Sequence, residues 1–115
     1  MPPFVLINFK TYHEGTAENA VALAKVCESV AKRFKEKAAV AIAVQAADIF
    51  RVAAAVDRKL IKVFSQHIDA VAAGKFTGWV SAQTVRANGA EGTILNHAEH
   101  KISLQQLEEC LTIAK

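Results

Sequence analysis

Short apolar runs alternate with amphipathic segments along the chain, and the alternation occurs four times. The runs cover residues 5–7, 39–44, 60–64 and 92–95. They are too short and too uniformly apolar for surface helices, and such runs are typical of strands that a parallel sheet buries on both faces. Because a strand, a crossover helix and the next strand form a parallel pair, the repetition predicts an α/β fold with one parallel sheet.

The amphipathic segments predict one helix after each strand. The longest segment extends from residue 16 to residue 34, and apolar side chains recur in it every three or four positions, as at Leu23, Cys27 and Val30. Charged residues occupy the other side, so one face of this helix should pack on the sheet. Two shorter helices are predicted at 48–56 and 81–87.

Capping signals mark two helix ends. The pair Asn88-Gly89 predicts a left-handed cap after the third helix. Ser103 and Gln106 have the spacing of a capping box, which predicts that a fourth helix begins there. The predicted inner face of this last helix consists of Leu104, Leu107, Cys110 and Leu111.

The composition favours a single globular domain over residues 1–115. Apolar residues make up 52% of the chain, which is enough to fill a core, and charged residues make up 22%. The net charge is +3, and basic residues are interleaved with acidic ones on the predicted helix faces. This pattern argues against a nucleic-acid-binding surface.

The N-terminal sequence and the positions of the cysteines argue against a secreted protein, a membrane-spanning protein and a Cys-based motif. The N-terminus has no basic region followed by a long apolar stretch, so we expect no secretory signal, no membrane span and a cytoplasmic location. Cys27 and Cys110 lie far apart and outside any C-x-x-C or Cys/His grouping. We expect both to be buried small side chains.

Polar residues that can carry chemistry follow the predicted strands. Asn8 and Lys10 follow the first strand, and Asn96, His97 and Glu99 follow the fourth. The carboxyl ends of parallel strands meet at one edge of a sheet, which is where α/β proteins bind their ligands. The sequence therefore predicts that these side chains converge on one site.

Two of these motifs resemble a known family. The segments 8–12 (Asn-Phe-Lys-Thr-Tyr) and 95–97 (Leu-Asn-His) are similar to the signatures of the triosephosphate isomerase family, in the form of its archaeal branch. The segments 66–69 and 74–78 resemble the end of the third strand and the interface loop of that family. The resemblance runs through the whole chain, in order and at the family's spacing.

This resemblance implies both a fold and a reaction. The implied fold is the first four β/α units of a (β/α)₈ TIM barrel, a half-barrel with parallel strands. The implied reaction, part of glycolysis and gluconeogenesis, interconverts dihydroxyacetone phosphate and glyceraldehyde 3-phosphate by proton transfer through an enediolate. It implies no metal and no organic cofactor.

The resemblance also implies roles for individual residues. Lys10 and His97 are expected to be catalytic: Lys10 supplies positive charge beside the phosphate and the developing oxyanion of the substrate. His97 is expected to act as a neutral imidazole because it lies near a helix N-terminus, a use of histidine for which this family is a standard example. Asn8 is expected to position Lys10 and, with it, to bind the substrate. Asn96 and Glu99 are expected to support these residues.

The same resemblance indicates what residues 1–115 lack. A complete barrel has about 250 residues and eight strands, with phosphate-binding loops after the last two. In the family the proton-abstracting glutamate follows the sixth strand. Because proton transfer needs a base within reach of the carbon acid, we expect the 115-residue chain alone to be inactive and the C-terminal half of the barrel to be absent from it.

We expect the chain to associate with a partner. Four units leave the edges of the first and fourth strands unpaired and the inner face of the sheet uncovered, and such surfaces drive association. The partner would be a second half-barrel, or another copy bound through the loop 69–79. By the resemblance, Thr77 in this loop would reach a neighbour's site.

Other functions remain as alternatives at this point. A non-catalytic half-barrel fragment or assembly module would carry the same residues as a section of the enzyme. A different sugar-phosphate binder on the same fold is a third possibility, although the lysine and histidine motifs argue against it. The pairs His97/His100 and His67/Asp69 have no third ligand at a recognised spacing, so we interpret them as polar loop residues and predict no metal site.

Overall fold

The computed structural model describes residues 2–115, which contain four strands and four α-helices in strict alternation. The elements are β1 (Phe4–Asn8), α1 (Ala17–Phe34), β2 (Ala39–Val44), α2 (Ile49–Ala55), β3 (Ile61–Ser65), α3 (Ala82–Ala87), β4 (Gly92–Thr93) and α4 (Leu104–Ala114). Short 3₁₀ turns at His13–Gly15 and Ala46–Asp48 precede α1 and α2. The predicted series of four strand–helix units is confirmed.

The strands form one parallel sheet in the order β1-β2-β3-β4. Ile42, in the middle of β2, pairs with Ile7 on β1 and with Val63 on β3. Each strand therefore lies beside the one that precedes it in the chain, as successive units do in a (β/α)₈ barrel. β4 is shorter than the predicted run 92–95, and only its two residues pair with β3.

The core lies between β2 and β3 on one side and the helices α1 and α2 on the other. Val40, Ile42 and Val44 alternate along β2 and belong to this core. The residues that α1 contributes are small: Ala20, Ala24, Cys27 and Ala31. Because small side chains allow a helix to approach a sheet closely, α1 excludes water from the middle of β2.

β1 is more exposed than its apolar sequence predicts. Its residues Phe4, Val5, Leu6 and Ile7 keep between 37% and 55% of their surface accessible. The prediction of a strand buried on both faces is therefore wrong for β1. β1 pairs with β2 alone among the described strands, so one edge and much of both faces remain open.

α4 begins where the capping box predicts. The Ser103 hydroxyl accepts the backbone N–H of Gln106, and the Gln106 side chain accepts the backbone N–H of Ser103. The predicted inner face of α4 is only partly right. Cys110 is buried, whereas Leu104 and Leu111 are 83% and 49% exposed.

The end of α3 has the predicted left-handed cap. Gly89 has φ of +112°, and its backbone N–H donates to the carbonyl of Arg86, while the N–H of Ala90 donates to the carbonyl of Val85. This pair of hydrogen bonds is the Schellman arrangement. A Cβ at Gly89 would lie only 2.6 Å from the Cβ of Ala53, so both backbone and packing require glycine there.

The thiols of Cys27 and Cys110 are free and buried, as predicted, and burial raises the pKa of both. Within residues 2–115, none of the helices combines the length and the apolar character needed to cross a lipid bilayer.

The central position of β2 predicts a strong dependence of stability on Ile42, which is fully buried. Ile42→Ala should lower the free energy of unfolding by about 2–5 kcal/mol, because it leaves a cavity in the core. Val26→Ala, on the exposed side of α1, is the control and should change it by less than about 0.5 kcal/mol. Urea denaturation followed by circular dichroism measures both, and similar losses in the two variants would contradict this description of the core.

Candidate active site

Lys10 lies just beyond the end of β1 in a left-handed backbone conformation, with φ of +56°. Two side-chain amides bind its backbone. The N–H of Lys10 donates to Oδ1 of Asn8 at 2.9 Å, and the carbonyl of Lys10 accepts from Nε2 of Gln66 at 2.8 Å. The backbone that carries the lysine is therefore fixed from both β1 and β3.

The ammonium of Lys10 forms an ion pair with Glu99. Its Nζ lies 2.8 Å from Oε1 of Glu99, and the hydrogen bond from Lys10 lowers the pKa of the Glu99 carboxyl. The carboxylate itself is largely exposed to solvent. Because exposed ion pairs contribute little net stability, a competing anion can take the place of Glu99.

His97 follows β4, after Asn96, which also has a left-handed backbone with φ of +54°. The backbone N–H of Glu99 donates to Nδ1 of His97 at 3.1 Å. A ring nitrogen that accepts an N–H carries no proton, so this contact favours the neutral tautomer with its proton on Nε2. The Glu99 carboxylate is 3.6 Å from Nδ1, which is too far for a hydrogen bond.

Within residues 2–115, no helix begins beside His97, where one was expected. α4 begins only at Leu104, and the N–H that reaches Nδ1 belongs to a turn in which His100 donates its backbone N–H to the carbonyl of His97. The side chain of Asn96 holds this loop by accepting the backbone N–H of Ile102 at 3.0 Å. A single turn therefore supplies the donor that we expected from a helix.

Lys10 and His97 line the same cleft, which has a volume of about 410 Å³. The other residues around it are Asn8, Thr11, Tyr12, Gln66, His67, Glu99 and His100. A larger cavity of about 950 Å³ lies between α3 and α4, but its lining includes none of these residues. We assign the site to the smaller cleft because the ammonium and the imidazole meet there.

The sequence profile described as triosephosphate isomerase matches residues 3–114, nearly the whole chain. The chain belongs to the triosephosphate isomerase family. The resemblance seen in the two motifs is thus confirmed.

Archaeal triosephosphate isomerases are among the relatives. The enzyme of Methanosarcina acetivorans is 42% identical over 113 residues, which are 98% of this chain and 49% of the relative. The enzyme of Methanococcoides burtonii is 44% identical over 115 residues, which are 100% of this chain and 50% of the relative. The chain spans about half the length of the curated relatives it matches.

A solved structure supports the same fold. The triosephosphate isomerase of Bartonella henselae superposes with a TM-score of 0.81 at 22% identity, over 99% of this chain and 47% of that one. At this identity the likeness concerns the fold alone. Together with the parallel order of the four strands, it confirms the half-barrel predicted from the sequence.

The loop 69–79, which resembles the family's interface loop, is firmly attached at its base. Asp69 donates its backbone N–H to the carbonyl of Val80 at 2.7 Å, and its carboxylate accepts the N–H of Val80 and contacts Nε2 of His67. Burial raises the pKa of Asp69, but the hydrogen bonds from Val80 and His67 outweigh it and leave the pKa below its ordinary value. Thr77, at the exposed tip of the loop, does not reach the cleft of its own chain.

The cleft also includes three residues that were not predicted to be part of the site: Gln66, His67 and His100. Gln66 and His67 follow β3 at its carboxyl end, so the rule that identified Lys10 and His97 would also have found them. His100 stacks on His67 with ring centroids 3.9 Å apart. Within residues 2–115, the structure contains no group of three side chains arranged to hold a metal ion.

The lowered pKa of Asp69 predicts how stability depends on pH. A carboxyl whose pKa is lower in the folded than in the unfolded state stabilises the fold above its unfolded pKa, and this contribution is lost as the pH falls through the folded pKa. At pH 7, Asp69→Asn should lower the free energy of unfolding by about 1–3 kcal/mol, because hydrogen bonds to a charged acceptor are lost. The difference from the unaltered chain should shrink as the pH falls below 3.8, the ordinary value. Urea denaturation at several pH values tests this, and a difference that stays constant on acidification would contradict it.

Proposed function

We propose that residues 1–115 supply one half of a triosephosphate isomerase active site, with Lys10 and His97 as the groups that stabilise negative charge. The reaction interconverts dihydroxyacetone phosphate and glyceraldehyde 3-phosphate through an enediolate. One observation carries this proposal. Glu99 binds both groups at the rim of one cleft, through its carboxylate to Lys10 and through its backbone N–H to His97.

Lys10 would hold the substrate by its charge. Its ammonium is a compact positive group at the cleft, and its only charged partner described in residues 2–115 is the exposed carboxylate of Glu99. The phosphate or the developing enediolate oxygen of the substrate would replace Glu99 as that partner. The charge is fixed before the substrate arrives, so little rearrangement is needed as negative charge develops.

His97 would act on the oxygen of the reacting carbonyl. Its Nδ1 accepts the backbone N–H of Glu99, so Nε2 carries the proton that can be donated to a substrate oxygen. As the enediolate forms, the hydrogen bond from Nε2 becomes stronger because the oxygen gains negative charge. A neutral imidazole in this role is well known in the family.

The base that removes the carbon-bound proton must come from elsewhere. Glu99 is the only carboxylate that lines the cleft in residues 2–115, and it is already the partner of Lys10. We therefore propose that the proton-abstracting carboxylate and the phosphate-binding loops belong to the half of the family's length that these residues do not cover. Without them, a base is not within reach of the substrate carbon, and turnover stays near background.

We also propose that the chain functions in an assembly, in the cytoplasm. The exposed residues of β1 offer an unpaired edge to a second half-barrel. The loop 69–79 offers a second surface, on which Phe76 and Trp79 are exposed and pack edge to face at 6.5 Å. The exposed β1 also favours the alternative of a non-catalytic half-barrel module, which differs from the enzyme in having no turnover when the barrel is completed.

A fusion protein tests the catalytic proposal. Residues 1–115 joined to the second half of the Methanosarcina acetivorans enzyme should interconvert the two triose phosphates in a coupled assay. Lys10→Ala and His97→Leu should each lower kcat/KM by at least about 10²-fold, the usual effect of removing a group that stabilises the transition state. Lys59→Ala, which removes an exposed lysine outside the cleft, is the matched control and should leave kcat/KM unchanged.

The outcome separates the two candidates. A folded fusion protein without turnover would favour the non-catalytic module. Turnover by the 115-residue chain alone, lost on Lys10→Ala, would contradict the proposal that the base lies outside these residues.

Light scattering after size-exclusion chromatography tests the assembly proposal. The 115-residue chain should elute at twice the mass of one chain or more, because β1 and the loop 69–79 expose apolar side chains. Leu6→Lys should reduce association through the β1 edge, and Trp79→Ser should reduce association through the loop. A stable monomer of the unaltered chain at micromolar concentration would contradict the proposal.

A further inference from the structure

The backbone of Lys10 adopts a conformation that its own side chain does not favour. A lysine with φ of +56° lies in the left-handed region, where a Cβ crowds the following peptide. Residues persist in this region when the surrounding structure fixes them there. The contacts that fix Lys10 therefore also determine where its ammonium lies.

The β-sheet cannot fix this residue, because its hydrogen bonding ends one residue earlier. The backbone N–H of Phe9 donates to the carbonyl of Ala43 at 2.9 Å, and this is the last hydrogen bond between the backbones of β1 and β2. Beyond Phe9, the N–H and the carbonyl of Lys10 bind side chains. Asn8 accepts the N–H, and Gln66 donates to the carbonyl.

Gln66 is connected to more than the carbonyl of Lys10. Its Nε2 also lies 3.3 Å from Oδ1 of Asn8 and 3.4 Å from the carbonyl of Ala43. The amide of Gln66 thus connects the end of β3, across β2, to Lys10, which is the second residue after β1. Asn8 alone could hold the N–H of Lys10, but only Gln66 donates to its carbonyl among the described side chains.

We propose that Gln66 is a positioning residue for Lys10. Its side-chain amide holds Lys10 in the left-handed conformation and so keeps the ammonium beside Glu99, in the cleft that His97 also lines. Gln66 need not touch the substrate to do this. That the held ammonium serves isomerisation rests on the function proposed above, whereas the control of the Lys10 backbone by Gln66 does not.

Two substitutions make a matched pair for the test. Gln66→Met keeps the length of the side chain and removes its N–H donor. Gln45→Met does the same at the end of β2, where Nε2 of Gln45 binds the carbonyl of Gly15 and the hydroxyl of Thr16, away from Lys10. If Gln66→Met does not fold, Gln66→Glu has the same shape and also loses the donor.

Nuclear magnetic resonance of the 115-residue chain reads the backbone and the ammonium separately. The N–H to Hα coupling and the Cα and Cβ shifts of Lys10 report its left-handed conformation. The carboxyl shift of Glu99 during a pH titration reports whether Lys10 still donates to it, since that hydrogen bond lowers the pKa of Glu99 below 4.5. Gln66→Met should abolish the left-handed signature and bring the pKa of Glu99 back toward 4.5, and Gln45→Met should change neither.

Kinetics of the fusion protein test whether the ammonium that Gln66 positions contributes to isomerisation. Gln66→Met should lower kcat/KM about tenfold or more, because a displacement of a charged group by about 1 Å is enough to cost such a factor. The effect should fall mainly on kcat, and Gln45→Met should leave both kcat and KM unchanged. A loss no larger than that of Gln45→Met would overturn the positioning role.

The resonance and the kinetic measurements together distinguish failure of the positioning role from failure of the proposed function. If Gln66→Met or Gln66→Glu folds and keeps the left-handed signature of Lys10 and the lowered pKa of Glu99, the inference is wrong whether or not the fusion protein is active. If the unaltered fusion protein folds and has no turnover, the proposed function fails, and the resonance measurements still decide whether Gln66 fixes Lys10.

Discussion

The parallel pairing of the four strands determines where the polar residues of the site lie, and the register of β1, β2 and β3 sets the positions of those that follow β1 and β3. Asn8 pairs with Ala43 at the end of β1, and Val44 pairs with Ser65 at the end of β3. The three strands therefore end at nearly the same height along the sheet. Residues that follow different strands, such as Lys10 and Gln66, therefore meet although 56 positions separate them in the sequence. A shift of one residue in the pairing would turn these side chains to the other face of the sheet.

Glu99 links the two groups that we propose to be catalytic. Its side chain is bound to the ammonium of Lys10, and its backbone N–H is bound to the ring of His97. The two contacts differ in kind. The first is an exposed ion pair, whereas the second belongs to the backbone and does not depend on the position of the carboxylate. In the proposed function the substrate anion would replace the carboxylate beside Lys10, while the contact to His97 would remain.

The sequence was sufficient to predict the order of the elements and the caps of α3 and α4, since periodicity and capping residues act locally. It could not predict that β1 would be half exposed, because an apolar run is the same whether or not something covers it. For the same reason, the prediction that Leu104 and Leu111 belong to the buried face of α4 was wrong. Neither the left-handed backbone of Lys10 nor the reach of Gln66 across β2 has a local signal, because both arise from contacts between distant segments.

The surroundings of His97 illustrate a different limit. The resemblance to the family predicts a neutral ring beside a helix N-terminus; the neutral form stays a prediction, whereas the contact to the ring comes from a turn and not from α4. A helix was expected, and one N–H in the turn 97–100 provides the donor. Two arrangements with the same electrostatic effect cannot be distinguished from residue types alone, because the donor in either case is a backbone group that every residue other than proline has.

The central claim is that an ammonium and a neutral imidazole with its proton on Nε2 face one cleft. The nitrogen-15 shifts of the His97 ring at pH 7, measured in the 115-residue chain, test this most directly. An unprotonated Nδ1 that accepts a hydrogen bond and a protonated Nε2 are the predicted result. A proton on Nδ1, in either the other neutral tautomer or the imidazolium, would contradict it.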